Sequence, residues 1–295
     1  MTESSLVSIA SDALSAEIDL LGAQLFALRD AEGRDLLWDG DPAIWTGRAP
    51  ILFPIVGAVN GGAYRVGSQV YHLPRHGLAR RKPFTVVAQD PTAVTLRLRW
   101  DEETLAIYPF HFQLDMTFAL DGATLSMSAA ISNLGQDPLP ASFGYHPAFR
   151  WPLPYGAARA DHSLRFERPE PAPVRRVDAD GLIKPETFST PVAGQDLALN
   201  DSLFVDDALI LDQLHSGAVT FGPPAGPQLR VGFEGAPYLG LWSKPGAPFL
   251  CIEPWWGHAD PQGFDGEIWD KPGVFVLARG ETRALVTTVE LTSAA

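Results

Sequence analysis

The stretch Phe110-His-Phe-Gln-Leu-Asp-Met-Thr-Phe-Ala-Leu-Asp-Gly-Ala-Thr-Leu-Ser-Met-Ser-Ala-Ala-Ile131 alternates apolar and polar residues. Phe110, Phe112, Leu114, Met116, Phe118 and Leu120 share one face. Leu125, Met127, Ala129 and Ile131 resume the pattern after Asp121-Gly122. Successive side chains of a strand point to opposite faces, so this pattern predicts two half-buried strands. Asp-Gly between them predicts a two-residue hairpin turn, because glycine tolerates positive φ. Just upstream, Val94, Leu96, Leu98 and Trp100 oppose Thr95, Arg97 and Arg99 in the same way.

Working outward, further strands are predicted at 14–28, 63–73, 84–89, 229–234, 238–243, 249–253, 274–278 and 283–291. The 27 glycines and 26 prolines are scattered between short apolar runs, as turns are in a β-rich chain. Long helical periodicity is absent, and DEETLAIY at 101–108 reads as one short helical turn. Residues 152–200 are rich in proline, charge and small side chains. They read as long loops with one hairpin at most, and not as a linker, because strands resume on both sides. The expectation is an all-β fold of packed antiparallel sheets, with 1–295 as one domain.

Composition narrows the function. Hydrophobic residues make up 46% of the 295 and charged residues 19%, enough for a sizeable core. The net charge of −13 repels phosphate backbones and anionic lipid surfaces. Nucleic-acid and membrane partners are therefore not expected. One cysteine, Cys251, forms no internal disulfide. The start, MTESSLVSIASDALSAEIDLL, has no basic leader followed by an apolar run. No stretch approaches the roughly 20 apolar residues of a membrane span. The cytoplasm is the expected compartment.

Four segments are unlike ordinary sandwich strands. They are Arg48-Ala-Pro-Ile-Leu-Phe-Pro-Ile-Val-Gly57, Pro74-Arg-His-Gly-Leu-Ala-Arg80, Gly144-Tyr-His-Pro-Ala-Phe149 and Cys251-Ile-Glu-Pro-Trp-Trp-Gly257. Each sets polar groups among rigid apolar, Gly or Pro neighbours, as a binding cleft requires. His76 is either a cleft residue or an exposed loop histidine. His146 is either a site residue or a core histidine bonded to a carbonyl. Glu253 closes an apolar strand, where a carboxylate is costly unless it has a function or an arginine partner. Trp242, Trp255 and Trp256 can stack on a ligand or pack in the core. Trp255 and Trp256 are adjacent, so at most one faces a ligand; Trp256 is chosen with Trp242. No H-x-H, HExxH or CxxC pattern occurs, so neither a metal nor another cofactor is expected. No G-x-S-x-G elbow or phosphate-cradling G-x-x-x-x-G-K loop is present.

In their order, APILFPIVG, YRVGSQVYHLPRHGLAR, DEETLAIYPFHFQL, FGYHPAF and PYLGLWSKPGAPFLCIEPWWG resemble the aldose 1-epimerase superfamily, closest to its LacX-like bacterial branch. The resemblance runs from about Gly22 to about Val289. It implies a galactose-mutarotase-like β-supersandwich with an open sugar cleft. It assigns Glu253 as the base that takes the anomeric proton and His146 as the acid that protonates the ring oxygen. It assigns His76 as the second histidine, polarising the ring oxygen. Asp207 in SLFVDDALIL is expected to hold sugar hydroxyls, with Asp206 as the fallback. Arg48 and Arg80 are expected at the cleft, with Trp242 and Trp256 against the sugar. A small-molecule aldose is then the expected partner. Arg75-His-Gly-Leu-Ala-Arg-Arg-Lys82 is basic, but reads as a solvated turn, which favours a free aldose over a sugar phosphate. A hexose-6-phosphate 1-epimerase and a non-catalytic carbohydrate-binding protein are the alternatives. A glycoside hydrolase would usually need two flanking carboxylates, and only one is convincing.

Overall fold

The computed structural model describes residues 5–292. The hairpin forms from strands Phe112–Asp121 and Thr124–Asn133. Asp121 pairs with Thr124, so the turn residues are Gly122 and Ala123, one position later than predicted. Gly122 alone takes positive φ, at 53°, as a turn with glycine at its first central position requires.

This hairpin lies inside a nine-stranded antiparallel sheet. Its order is Asp196–Ala198, Ser163–Phe166, Ala218–Gly222, Gln228–Gly232, Thr282–Thr292, Thr124–Asn133, Phe112–Asp121, Ala93–Arg99 and Thr85–Gln89. The predicted run 14–28 is two strands, Leu14–Asp19 and Gln24–Asp30, in a separate three-stranded sheet. The run 63–73 is a small hairpin, Ala63–Val66 with Gln69–His72. The helical turn is Glu102–Ile107. The Asp101 carboxylate accepts from the Thr104 N–H at 2.7 Å, and the Thr104 hydroxyl accepts from the Asp101 N–H at 2.8 Å, a capping box. In 152–200 the only paired strands are Ser163–Phe166 and Asp196–Ala198, joined by a long irregular excursion and not a tight turn.

A six-stranded sheet packs on the larger one. Its order is Leu209–Leu211, Tyr238–Trp242, Phe249–Trp256, Phe143–Tyr145 and Ile51–Leu52, and Ala148–Arg150 also pairs with Phe249–Trp256. Leu239, Leu241, Leu250, Ile252 and Trp256 enter the same core as Met127 and Leu285 of the nine-stranded sheet. The Tyr145 hydroxyl crosses between the sheets, 2.9 Å from the carbonyls of Met127 and Leu285. The other face of the six-stranded sheet carries Phe249, Cys251 and Trp255, which pack into two smaller clusters. That second face forms the floor of the cleft described next. Several of these short strands escape a period-two reading because both of their faces are buried.

Candidate active site

Strand Phe249–Trp256 decides which groups meet. Its even residues face the core, and its odd residues lie on the opposite face, where Glu253 and Trp255 line the cleft and Cys251 is fully buried. Opposite it the chain breaks its ladder. Phe143 and Gly144 pair with Trp256 and Trp255, and pairing resumes with Ala148 against Cys251. His146 and Pro147 occupy the interruption, where proline has no N–H to donate. The register is unshifted across this gap, so His146 falls opposite Glu253 and brings its Nε2 to 3.2 Å from Glu253 Oε2. On the other side, Gly240 pairs with Glu253. Gly240 and Gly144 together make room for the Trp255 indole. A methyl on Gly144 would fall 2.6 Å from Trp255 Cδ1, and one on Gly240 would overlap the ring's far edge.

The cleft has a volume of about 260 Å³. Around the His146–Glu253 pair it is walled by Trp45, His76, Arg75, Arg80, Asp207, Trp242 and Trp255. Trp45 stacks on the His146 ring at 5.3 Å and 29°, and Trp242 meets that ring edge-on at 6.0 Å. His76 approaches it from a third side, 5.9 Å between centroids and nearly perpendicular.

His76 has a fixed orientation. It sits at φ 68°, and its own N–H donates to Gly57 O at 2.8 Å. The Gly57 N–H in turn donates to His76 Nδ1 at 3.1 Å. An imidazole that accepts at Nδ1 carries its proton on Nε2 when neutral. His76 is thus a preset donor in the cleft wall.

Burial dominates the electrostatics. Glu253 is 2% exposed, and its desolvation raises its pKa well above the ordinary carboxyl value. The Trp255 N–H and Arg75 oppose that shift, while Asp207 adds to it. The Trp255 N–H nonetheless makes no aligned hydrogen bond, and neither does Glu253 Oε2. Burial lowers the His146 pKa to about 3, helped by Arg80 and Arg75. Both shifts favour the neutral forms, carboxylic acid and imidazole, which together carry the same number of protons as carboxylate plus imidazolium. Burial likewise holds His76 well below the ordinary imidazole value, with His146, Arg80 and Arg75 adding to the effect.

These neutral imidazoles set an acid limit. Below pH 6.5 the unfolded chain protonates histidines that the folded chain keeps neutral, so stability falls as pH drops toward the folded values. Asparagine tolerates positive φ, so His76→Asn keeps the backbone. The melting temperature of His76→Asn should fall less steeply than the parent's between pH 6.5 and 4. Parallel slopes would count against a neutral His76 in the folded state.

Not every expected residue reaches the cleft. Trp256 points into the core and donates its indole N–H to Gly235 O at 2.9 Å. Trp255 takes the wall position instead, because only i and i+2 share a strand face with Glu253. Arg48 also lies elsewhere. Its guanidinium covers the Phe26 ring at 3.8 Å and donates to Phe26 O at 3.0 Å. Trp45, three residues before it, lines the cleft. Asp207 lines the cleft, with its carbonyl accepting from Arg176 at 2.8 Å; Asp206 does not line it. Arg80 lines it with Arg75. Among the described residues neither of these guanidiniums has a hydrogen-bond or carboxylate partner, unlike Lys82, which pairs with Glu103. The basic turn is therefore split, and two of its charges face the site. Trp45 lies in a polar loop whose sequence carries no period to reveal it.

Known proteins match this chain in sequence and fold. The family model described as Aldose 1-epimerase matches residues 5–275. The chain is 32% identical over 278 residues to protein LacX (plasmid) of Lactococcus lactis subsp. lactis, covering 91% of this chain and 93% of that protein. A galactose mutarotase related enzyme from Lactobacillus acidophilus superposes with a TM-score of 0.90 at 28% identity, over 98% of both chains. A galactose mutarotase-like protein from Lactobacillus casei also gives 0.90, at 29% identity, over 97% of this chain and all of that one. The all-β architecture is accordingly the galactose mutarotase-like fold. No helix among the described residues is long and apolar enough to cross a membrane. With a family model covering nearly its whole length and a one-third-identical relative matched end to end, this chain belongs to the aldose 1-epimerase family.

Proposed function

We propose that this protein is an aldose 1-epimerase that interconverts α and β anomers through ring opening, with Glu253 as base and His146 as acid. One observation carries the reading: a buried carboxyl and imidazole 3.2 Å apart in a cleft walled by aromatic rings. The anomeric oxygen and the ring oxygen share one carbon. A base for the first and an acid for the second must therefore converge on neighbouring atoms, as these two do. Glu253 takes the anomeric proton while His146 protonates the ring oxygen, and the C1–O5 bond breaks. The reacting form is the ion-paired tautomer, reached when the proton of the neutral pair moves from Glu253 to His146 across their 3.2 Å contact. Ring opening then turns carboxylate plus imidazolium back into carboxylic acid plus imidazole. Rotation about C1–C2 and reclosure reverse the transfer, so the pair keeps one proton throughout. His76 donates from Nε2 to the ring oxygen. Asp207 holds hydroxyls, and Trp242 or Trp255 covers the apolar face of the sugar. The sugar supplies its own leaving group, so this scheme uses no cofactor.

The test is a panel of pure anomers followed by polarimetry, with sugar binding measured alongside. Acceleration of at least one aldose, unaffected by a chelator, is expected. Tight sugar binding without acceleration of any anomer would favour the non-catalytic carbohydrate-binding alternative.

A second substrate reading has its own support. Arg75 and Arg80 face the cleft unpaired in a chain of net charge −13. Guanidiniums suit a phosphate dianion, and a charge-assisted hydrogen bond contributes about 1.5–3 kcal/mol. On this reading the aldose carries an anionic substituent, as a hexose 6-phosphate does. Arg80→Ala should then lower kcat/KM on glucose 6-phosphate by about 10–100-fold and on free glucose by much less. Equal losses on both sugars would leave the free aldose as substrate.

A further inference from the structure

We propose that His146, Cys251 and Glu253 form a latent site for a zinc-type cation, whose occupation would silence the site. One imidazole nitrogen, the Cys251 Sγ and one Glu253 carboxylate oxygen all lie within 4.8 Å of one another. Cys251 and Glu253 are two residues apart on one strand and so share one face of the sheet, Glu253 lining the cleft and Cys251 buried behind it. His146 enters from the interrupted strand opposite. The three side chains project from two neighbouring segments of one sheet.

The geometry points to a ligand beyond the cysteine itself. His146 is 8% exposed and its Nδ1 has no hydrogen-bond partner. Glu253 is 2% exposed and its Oε2 likewise lacks an aligned donor. Buried polar atoms normally find partners, so His146 Nδ1 is available to an incoming group, while Glu253 Oε2 would exchange its 3.2 Å neighbour His146 Nε2 for one. Zinc binds imidazole at about 2.0–2.1 Å and thiolate at about 2.3 Å, so the three groups need to close by roughly 1 Å. A thiolate with an imidazole and a carboxylate selects a soft or borderline cation over magnesium or calcium. Three protein ligands leave a fourth position open toward the cleft.

The cation takes the lone pairs that otherwise share the catalytic proton. Its binding displaces the thiol proton and the proton held by the His146–Glu253 pair into solvent. The loss of activity rests on the roles proposed for Glu253 and His146. Binding itself does not, so the two can fail separately.

The test begins with metal-free protein titrated with Zn²⁺ in equilibrium dialysis, and with Co²⁺ as the spectroscopic probe. One equivalent per chain is expected, with a thiolate-to-cobalt charge-transfer band. Cys251→Ala should abolish the band and weaken zinc by about 100-fold or more, since even outer partners of a zinc site are worth 10–100-fold. Cys251 touches no reacting atom in the mechanism, so Cys251→Ala should turn over sugar at the parent rate and escape zinc inhibition. Cys251→Ser, which keeps the side-chain volume, serves if the alanine variant does not fold. Absence of stoichiometric binding, or equal binding in the parent and the Cys251 variant, overturns the site. Binding without inhibition overturns the silencing.

Discussion

Glu253→Gln should fold as the parent does and interconvert anomers about 10²-fold or more slowly, the usual scale of lost acid–base catalysis. Glutamine preserves the shape between Gly240 and His146 but accepts no proton from the anomeric hydroxyl. KM should move much less, because Trp242, Trp255, Asp207 and the two arginines also line the cleft and are unchanged. The same substitution carries a stability signature. Burial raises the folded pKa of Glu253 well above 4.5, so the folded state holds this proton more tightly than the unfolded one. The associated stability is fully present below pH 4.5 and is lost as pH rises through the folded pKa. Glutamine has no proton to lose. At alkaline pH the variant should therefore melt no lower than the parent, and higher if Glu253 ionises in the folded state. Slow turnover with an unchanged or raised melting temperature separates a lost base from a damaged fold. A folded Glu253→Gln protein working at the parent rate would remove this residue from the mechanism.

His146→Asn should give a comparable loss in kcat, again about 10²-fold or more. Asparagine still bonds to a ring oxygen but delivers no proton to it. The double variant distinguishes one proton relay from two separate contributions. Glu253 and His146 lie 3.2 Å apart and serve one proton transfer, so removing either already removes the transfer. The double variant should be little slower than either single variant, and the product of the two losses should not be seen. Multiplying losses would mean that the two groups act in independent steps.

Much of this was legible in the chain itself. Period-two alternation around Phe110–Ile131 exposed the hairpin and the antiparallel, all-β character, because a half-buried strand writes its two faces into alternate residues. Glu253, His146 and His76 stood out because polar groups inside apolar, Gly- and Pro-rich segments need a physical reason to be there. The parity of Phe249–Trp256 was also legible. Trp255, two residues from Glu253, must share its face, and Trp256 must not.

Other features lie outside what a single sequence records. Short strands such as Phe143–Tyr145 are buried on both sides and show no alternation, so their pairing depends on what covers each face. The interruption that delivers His146 to Glu253 exists only once both flanking strands have paired with Phe249–Trp256. Arg48 and Trp45 are three residues apart in one loop, and nothing local ranks one above the other. The Phe26 ring and carbonyl occupy the arginine, while His146 and Trp242 receive the tryptophan. Arg75 and Arg80 read as a solvated turn until the fold places both in the cleft wall, with no carboxylate among the described residues paired to either guanidinium. The chain alone determined which faces are apolar and which polar groups are out of place, since those are properties of residue type and spacing. Only the tertiary structure decided which of those groups meet, because proximity between distant segments is set by strand pairing and packing.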